Sequence, residues 1–469
     1  MWLSVDKIGD TSLTKQVYQQ IRSQILNGEI KSGEKLPATR ELASQINVSR
    51  NVIIEAYDLL IAEGFLESTP GSGTYVAEGV FLERGHVEPD VSINSFTNSE
   101  SHSEQINFRS GIPDLHLLPR KKWSQLEQAV CLDSPANIFG YDCPEGRIEL
   151  RSALCRYLKK SRGVYSDPEQ IIITCGAVQA LSIVTKALLT QSSSYIIEDP
   201  IHRDIRNLFE VHTHHIFPVP VDESGIRTTD LPQDLKPSLI MLTPSHQYPL
   251  GVVLPIQRRI ELIQYVRTKE CYIVEDDYDS EFRYQGAPIN SLQGLDPNRV
   301  IYIGSFSKIL FPALRLGYMV LPPGLIKSCR ELKHLQDNHS PILAQLTLAR
   351  FIEEGYLERH IAKMKKAYRT KRDLLMSQLK KAFPEGLKIS GESTGLHLIA
   401  EFERISFNEE NIASIKKTGM IVHPVSEHTL EKKSHTHQLI LGYSHLSHSE
   451  IITGVAQLKD ALEQVNGEK

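Results

Sequence analysis

Apolar positions follow two different rhythms along the chain. Near the amino end, Leu13, Val17, Ile21 and Ile25 return every four residues, which predicts an amphipathic helix over 12–27. The stretch NGEIKSGEKLP then breaks the pattern with two glycines and a proline. Residues 38–45 read as a short helix, Ile46-Asn47-Val48 as a tight turn and 49–63 as a longer helix. Ser49 suits the N-cap of that helix, and Val52, Ala56, Leu59 and Leu60 are the expected inward face. Phe65-Leu66-Glu67 and Thr74-Tyr75-Val76 flank the turn Pro70-Gly71-Ser72-Gly73, which predicts a hairpin. A helix-turn-helix followed by a small β-wing is the expected arrangement over 11–77.

Residues 78–104 turn polar, with Ser, Asn and Glu crowding 93–104, and read as a linker. From 105 onward, short apolar runs alternate with helical patterns. The runs are Tyr195–Ile197, Leu239–Leu242, Cys271–Val274, Val300–Ile303 and Leu316–Leu321. Several end in a polar cluster (EDP, TPSHQ, EDD, SFSK), as buried parallel strands with functional carboxyl ends do. The expected fold of 105–469 is therefore α/β: a mostly parallel sheet flanked by helices, with a smaller α+β subdomain over about 325–469.

The chain has 469 residues, room for two or three domains, and its 41% apolar and 23% charged content is that of a globular protein. A net charge of −5 confines any nucleic-acid contact to a local patch. Residues 1–78 carry seven Lys/Arg against ten Asp/Glu, so that patch is set by placement rather than by excess charge. Six cysteines lack CxxC spacing and read as reduced thiols, not as a disulfide or zinc framework. His212–His215 and His435–His437 lack metal spacing, and no metal site is expected. The start MWLSVDKIGD is no secretory signal, and no run reaches the ~18 apolar residues of a membrane span. A cytoplasmic protein without membrane contact is the expectation.

Ser49, Arg50 and Asn51 stand at the amino end of the second helix of the helix-turn-helix. There backbone N–H groups meet phosphates while Arg and Asn reach base edges; Arg40 on the preceding helix suits a phosphate or base. The segment LPATRELASQINVSRNVIIEAYDLLIAEGFLESTPGSGTYV closely resembles the GntR family of bacterial regulators. The resemblance implies contact with double-stranded DNA by Arg40, Ser49, Arg50, Asn51 and the wing residues Gly71, Ser72 and Gly73.

In the second region the central motif is GSFSKILFPALRLGY, residues 304–318. A lysine after a strand, preceded by Ser-x-Ser and followed by an arginine, suits a cofactor with an aldehyde and a phosphate. Lys308 is the candidate Schiff-base lysine. Arg315, Ser305 and Ser307 suit the phosphate. In CYIVEDDYDSEF, Asp276 is the first candidate and Asp277 the second to pair with a pyridinium nitrogen, and Tyr278 suits the ring's phenolic oxygen. Ala177 and Val178 open a helix after Gly176 and offer N–H groups to the phosphate.

These motifs, in this order, resemble fold-type I aminotransferases. Winged helix, linker and aminotransferase-like domain together resemble the MocR subfamily of GntR regulators. The resemblance implies pyridoxal 5′-phosphate (PLP) held as an aldimine at Lys308, and a head-to-tail homodimer. Three departures matter. Tyr248 stands where aminotransferases carry an asparagine against the cofactor. His202 replaces a frequent tyrosine beside the ring. His445 replaces the arginine that clamps a substrate carboxylate, and histidine is a poorer, partly charged donor. His202 and His445 are thus the candidate effector-binding residues. The expected function is a PLP-dependent transcription regulator sensing a small amine, an amino acid or PLP itself, with chemistry limited to aldimine exchange or half-transamination. The alternative is a working aminotransferase.

Overall fold

The computed structural model describes residues 3–7, 9, 11–80, 105–430 and 434–467, which fall in two compact units, 1–101 and 102–469. Most of the expected linker, from residue 81 on, lies outside the described residues.

The first unit packs helices Leu13–Leu26, Thr39–Gln45 and Arg50–Ala62 against the hairpin Leu66–Thr69/Gly73–Val76. Val17, Ile21 and Ile25 are buried, as their four-residue spacing requires. The inward face of the third helix differs from expectation. It is Ile53, Ala56, Tyr57 and Leu60, while Val52 is half-buried and Leu59 is 47% exposed. Positions 53, 56, 57 and 60 form one helical stripe, and the Tyr57 hydroxyl fixes it by donating to the Pro37 carbonyl at 3.0 Å. Asn47 takes a positive φ of 53° in the turn between the second and third helices, a conformation asparagine tolerates better than most residues.

The second unit is built on an eight-stranded sheet. Its order is Ile171–Thr174, Gly317–Val320, Val300–Ser305, Tyr272–Asp277, Leu239–Leu242, Tyr195–Asp199, Ile216–Asp222, Gly225–Ile226. The strands from Val300–Ser305 to Ile216–Asp222 run parallel; Gly317–Val320 is antiparallel to both neighbours. Alternation along each strand sends side chains to both faces, and both are covered. Tyr195, Ile197, Leu239, Met241 and Val274 pack with helix Ala177–Leu188, whereas Ile196, Ile240, Leu242 and Ile273 pack with Leu262 and Val266 of helix Ile256–Lys269.

A four-stranded antiparallel sheet follows the long helix Tyr356–Ala382: Leu387–Ser390, His397–Phe402, Gln438–Gly442 and His423–Pro424. The start of the unit joins this part, because Ile106–Asn107 pairs in parallel with Met420–Ile421. Helices Ile326–Asp337 and Ile342–Glu353 instead pack on helices of the large-sheet layer. Among the described residues, no helix is long and apolar enough to cross a membrane.

Candidate cofactor pocket and candidate DNA interface

The carboxyl ends of the large sheet open into a cavity of about 340 Å³. Its walls include Lys308, Asp276, Tyr278, Arg315, Ser305, Ser307, Ala177, Val178, His202 and Tyr248. Ten residues singled out from separate motifs are thus brought to one place, because parallel strands deliver their following loops to the same edge.

Lys308 follows strand Val300–Ser305 and is half-buried. Burial lowers its ammonium pKa, with Asp279 and Asp276 opposing and Arg109 adding to the effect. Gly111 leaves the space that the lysine needs: at φ +69°, a Cβ there would stand 3.1 Å from Nζ. Opposite surroundings divide two neighbouring carboxylates of the adjacent strand, Tyr272–Asp277. Asp277 Oδ2 accepts from Arg162 Nε at 2.8 Å and from the Tyr302 hydroxyl at 2.6 Å. Asp276 faces the cavity, and its buried Oδ1 has no hydrogen-bond partner among the described residues. Burial, reinforced by Asp277, pushes the Asp276 carboxyl up to about 7. A buried carboxylate oxygen without a donor is costly, and a ring N–H arriving from the cavity is the kind of group that would relieve it.

The Tyr278 hydroxyl donates to the His246 carbonyl at 2.9 Å and lies 3.0 Å from His246 Nδ1. That nitrogen is also 2.9 Å from Asp279 Oδ1. Asp279 and His246 were missed in the sequence; TPSHQ and DYDSEF carry them, but only the fold brings the two loops together. His246, Asp279 and His397 have ligand atoms within 4.8 Å of one another, a grouping that could hold a metal ion. Hydrogen bonds already occupy much of it: Asp279 Oδ2 accepts from the Leu396 N–H at 3.2 Å, and His397 Nε2 is 2.8 Å from the Pro249 carbonyl. Tyr248 lies 3.1 Å, oxygen to oxygen, from the Ser110 hydroxyl and packs against His202 with ring centroids 5.0 Å apart.

On the wall of the same cavity, helix Ala177–Leu188 begins at Gly176, whose φ is 107°. A Cβ there would stand 3.3 Å from Arg315 Nη2. Arg315 itself donates to the Cys175 carbonyl at 2.6 Å, and the Ser305 hydroxyl accepts from the Ser307 N–H at 3.1 Å. Two hydroxyls, a guanidinium and a helix amino end therefore converge, a donor set that fits a phosphate dianion.

His445 is placed differently from the other candidates. It is not among the residues lining this cavity. Its Nε2 is 2.9 Å from the Asn107 carbonyl oxygen, and Nδ1 is buried without a partner among the described residues. The Asn107 side-chain oxygen lies 2.9 Å from His423 Nε2 and accepts from the Arg109 N–H at 2.9 Å. His445 thus helps to pin the segment that carries Arg109, Ser110 and Gly111.

In the first unit, Arg40, Ser49, Arg50, Asn51, Gly71 and Ser72 are exposed, and Gly73 is half-buried. Ser49 occupies the N-cap position, but its side chain makes no cap bond. Arg50 Nε donates to the Thr39 hydroxyl at 3.3 Å, which ties the start of the third helix to the second. Gly71 and Gly73 shape the tip with φ values of 78° and 126°.

The fold and pocket define an aminotransferase-like unit joined to a winged helix. Residues 103–436 match the family "Aminotransferase class I and II", and residues 13–76 match "Bacterial regulatory proteins, gntR family". Similar proteins include an HTH-type transcriptional regulator of Bacillus subtilis, YdeL, 35% identical over 96% of this chain and 97% of its own. The probable rhizopine catabolism regulatory protein MocR of Rhizobium meliloti is 32% identical over 98% of this chain and 95% of its own. The pyridoxine biosynthesis transcriptional regulator PdxR of Corynebacterium glutamicum is 32% identical over 79% of each. Among solved structures, a kynurenine aminotransferase of Pyrococcus horikoshii superposes with a TM-score of 0.72 at 25% identity, over 77% of this chain and 92% of its own. The chain belongs to the MocR subfamily of GntR-family transcription regulators.

Proposed function

We propose that this regulator binds operator DNA through its winged helix and holds PLP at Lys308, using that pocket to sense a small amine, an amino acid or PLP itself. The observation that carries the reading is Asp276: a buried carboxylate with an unpaired oxygen, on the wall of the cavity that Lys308 also lines. When bound, PLP would supply an aldehyde that reacts with amines and a ring that withdraws electrons.

The chain's own groups have separable roles. Lys308, with its ammonium pKa lowered by burial, is the group that would join the cofactor's aldehyde. Asp276 would accept from the ring nitrogen, and Tyr278, whose hydroxyl hydrogen goes to the His246 carbonyl here, would turn it to the ring's phenolic oxygen beside Tyr248. Ser305, Ser307, Arg315 and the N–H groups of Ala177 and Val178 hold the phosphate. His202, on the cavity wall, would flank the ring, and His445 acts by positioning the segment around Asn107. Arg40, Ser49, Arg50, Asn51 and the wing tip Gly71, Ser72 and Gly73 meet DNA. A homodimer in the cytoplasm completes the proposal.

Footprinting of the DNA upstream of the gene tests this reading, with full-length protein and Lys308→Ala, each with and without PLP. Protection that changes with PLP in the wild type and not in Lys308→Ala is expected. Absence of protection under every condition overturns the DNA-binding role, and an unchanged PLP response in Lys308→Ala overturns the sensing role.

A further inference from the structure

One side chain that lines the cavity, Asp204, and one that directly precedes its wall, Arg109, carry charge without an opposite partner among the described residues. Asp204 lines the cavity from helix Arg203–Glu210, and its exposed carboxylate makes no hydrogen bond or ion pair there. Its backbone N–H alone is engaged, donating to His202 Nδ1 at 3.2 Å. Arg109 immediately precedes Ser110 and Gly111 of the cavity wall, and its exposed guanidinium is equally unpaired. The backbone that carries it is fixed, since its N–H donates to Asn107 Oδ1.

The two charges act on the same rings. Burial lowers the His202 pKa, and Asp204 then pulls it up while Lys308 and Arg109 push it down. Tyr248 is raised by burial, with Arg109 lowering it and Asp204 raising it. His202 and Tyr248 therefore lie within electrostatic reach of both charges. The wall beside Asp204 is apolar: Ile201, Ile205, Leu208 and Leu181.

We propose that the effector is a dibasic amino acid, its carboxylate held at Arg109, its methylene chain along the apolar wall and its distal ammonium at Asp204. This rests on the reading of the cavity as the effector pocket. A dicarboxylic acid would set its second charge against Asp204, and a bare diamine would set one against Arg109, so the pair rejects both. Arg109 also supplies the carboxylate donor that His445, turned to a backbone carbonyl, does not. Arginine suits a carboxylate because its fork donates two parallel bonds.

L-Ornithine, L-norvaline and putrescine form a matched set: norvaline lacks the distal amine, putrescine the carboxylate. Calorimetric titration of the full-length PLP-loaded protein with each is the test. Ornithine is expected to bind about tenfold more tightly than either. Asp204→Asn should erase the preference over norvaline and leave norvaline affinity unchanged. Arg109→Gln should erase the preference over putrescine. Both positions are exposed, so neither change threatens the fold. Equal affinity for ornithine and norvaline, a preference that survives Asp204→Asn or Arg109→Gln, or no binding of any of the three overturns the proposal. None of these results bears on whether Lys308 holds the cofactor, which covalent capture decides separately.

Discussion

Asp276 and Asp277 are consecutive residues of one strand that meet opposite surroundings: Asp277 is bonded to Arg162 and Tyr302, while Asp276 faces the cavity with one oxygen unpaired. Strand alternation turns neighbouring side chains to opposite sides. One carboxylate therefore serves the scaffold while the other stays available to a ligand. That division yields two contrasting predictions.

Arg162 and Asp277 are both almost fully buried, with side chains 3% exposed. Removing one partner strands the other charge, at a cost of about 3–5 kcal/mol. Asp277→Asn or Arg162→Leu should lower the denaturant midpoint accordingly. Asp276→Asn should leave the midpoint of the cofactor-free protein unchanged or raised, and should weaken PLP binding. Equal destabilisation by Asp276→Asn and Asp277→Asn would contradict the division of roles.

The raised pKa of Asp276 has a definite sign in stability. In the cofactor-free fold its carboxyl titrates at about 7, against an ordinary value of 3.8. The folded state then holds more protons than the unfolded one between those values, so this residue's contribution falls as pH rises from about 4 to about 7. A tenfold difference in proton affinity between the folded and unfolded states corresponds to roughly 1.4 kcal/mol. Denaturation of cofactor-free protein across that window should show a shallower fall for Asp276→Asn than for the wild type, and saturation with PLP should remove the difference.

Gly111 takes φ +69° and leaves the room that Lys308 fills. Gly111→Ala should cost about 1–2 kcal/mol of stability through its left-handed backbone. The added Cβ should also displace the lysine amine, so that PLP capture slows well beyond what the loss of stability explains. Absorbance-monitored loading of folded protein, verified by circular dichroism, reads both effects.

Arg50 and Arg40 are exposed on the winged helix, and no shielding acid is bonded to either among the described residues. If Arg40 meets a phosphate, Arg40→Ala should weaken operator and random DNA alike and reduce the salt slope of binding by about 1. If Arg50 meets a base edge, Arg50→Ala should relax sequence preference at about 1–3 kcal/mol. Fluorescence anisotropy at several salt concentrations separates the two.

Much of the fold was legible because buried parallel strands are written as continuous apolar runs. Leu239–Leu242 matches its expected bounds. Ile216–Asp222 escaped notice because its two prolines and three exposed positions disguise a strand beside the sheet's end. Most cavity residues were legible because each lies in a short motif at a strand end. Partners that only tertiary packing creates were not: His246 beside Tyr278, Asp279 beside His246, and Arg109 next to the cavity wall at Ser110. The placement of His445 is of the same kind. Its position in sequence suggested a ligand contact, whereas its hydrogen bond is set by Ile106–Asn107, more than 300 residues earlier.

The most direct test is covalent. Full-length protein saturated with PLP is reduced with borohydride, digested and mapped by mass spectrometry. The account predicts one phosphopyridoxyl group on Lys308 and none on Lys308→Ala. An unmodified Lys308 in saturated wild-type protein would contradict it.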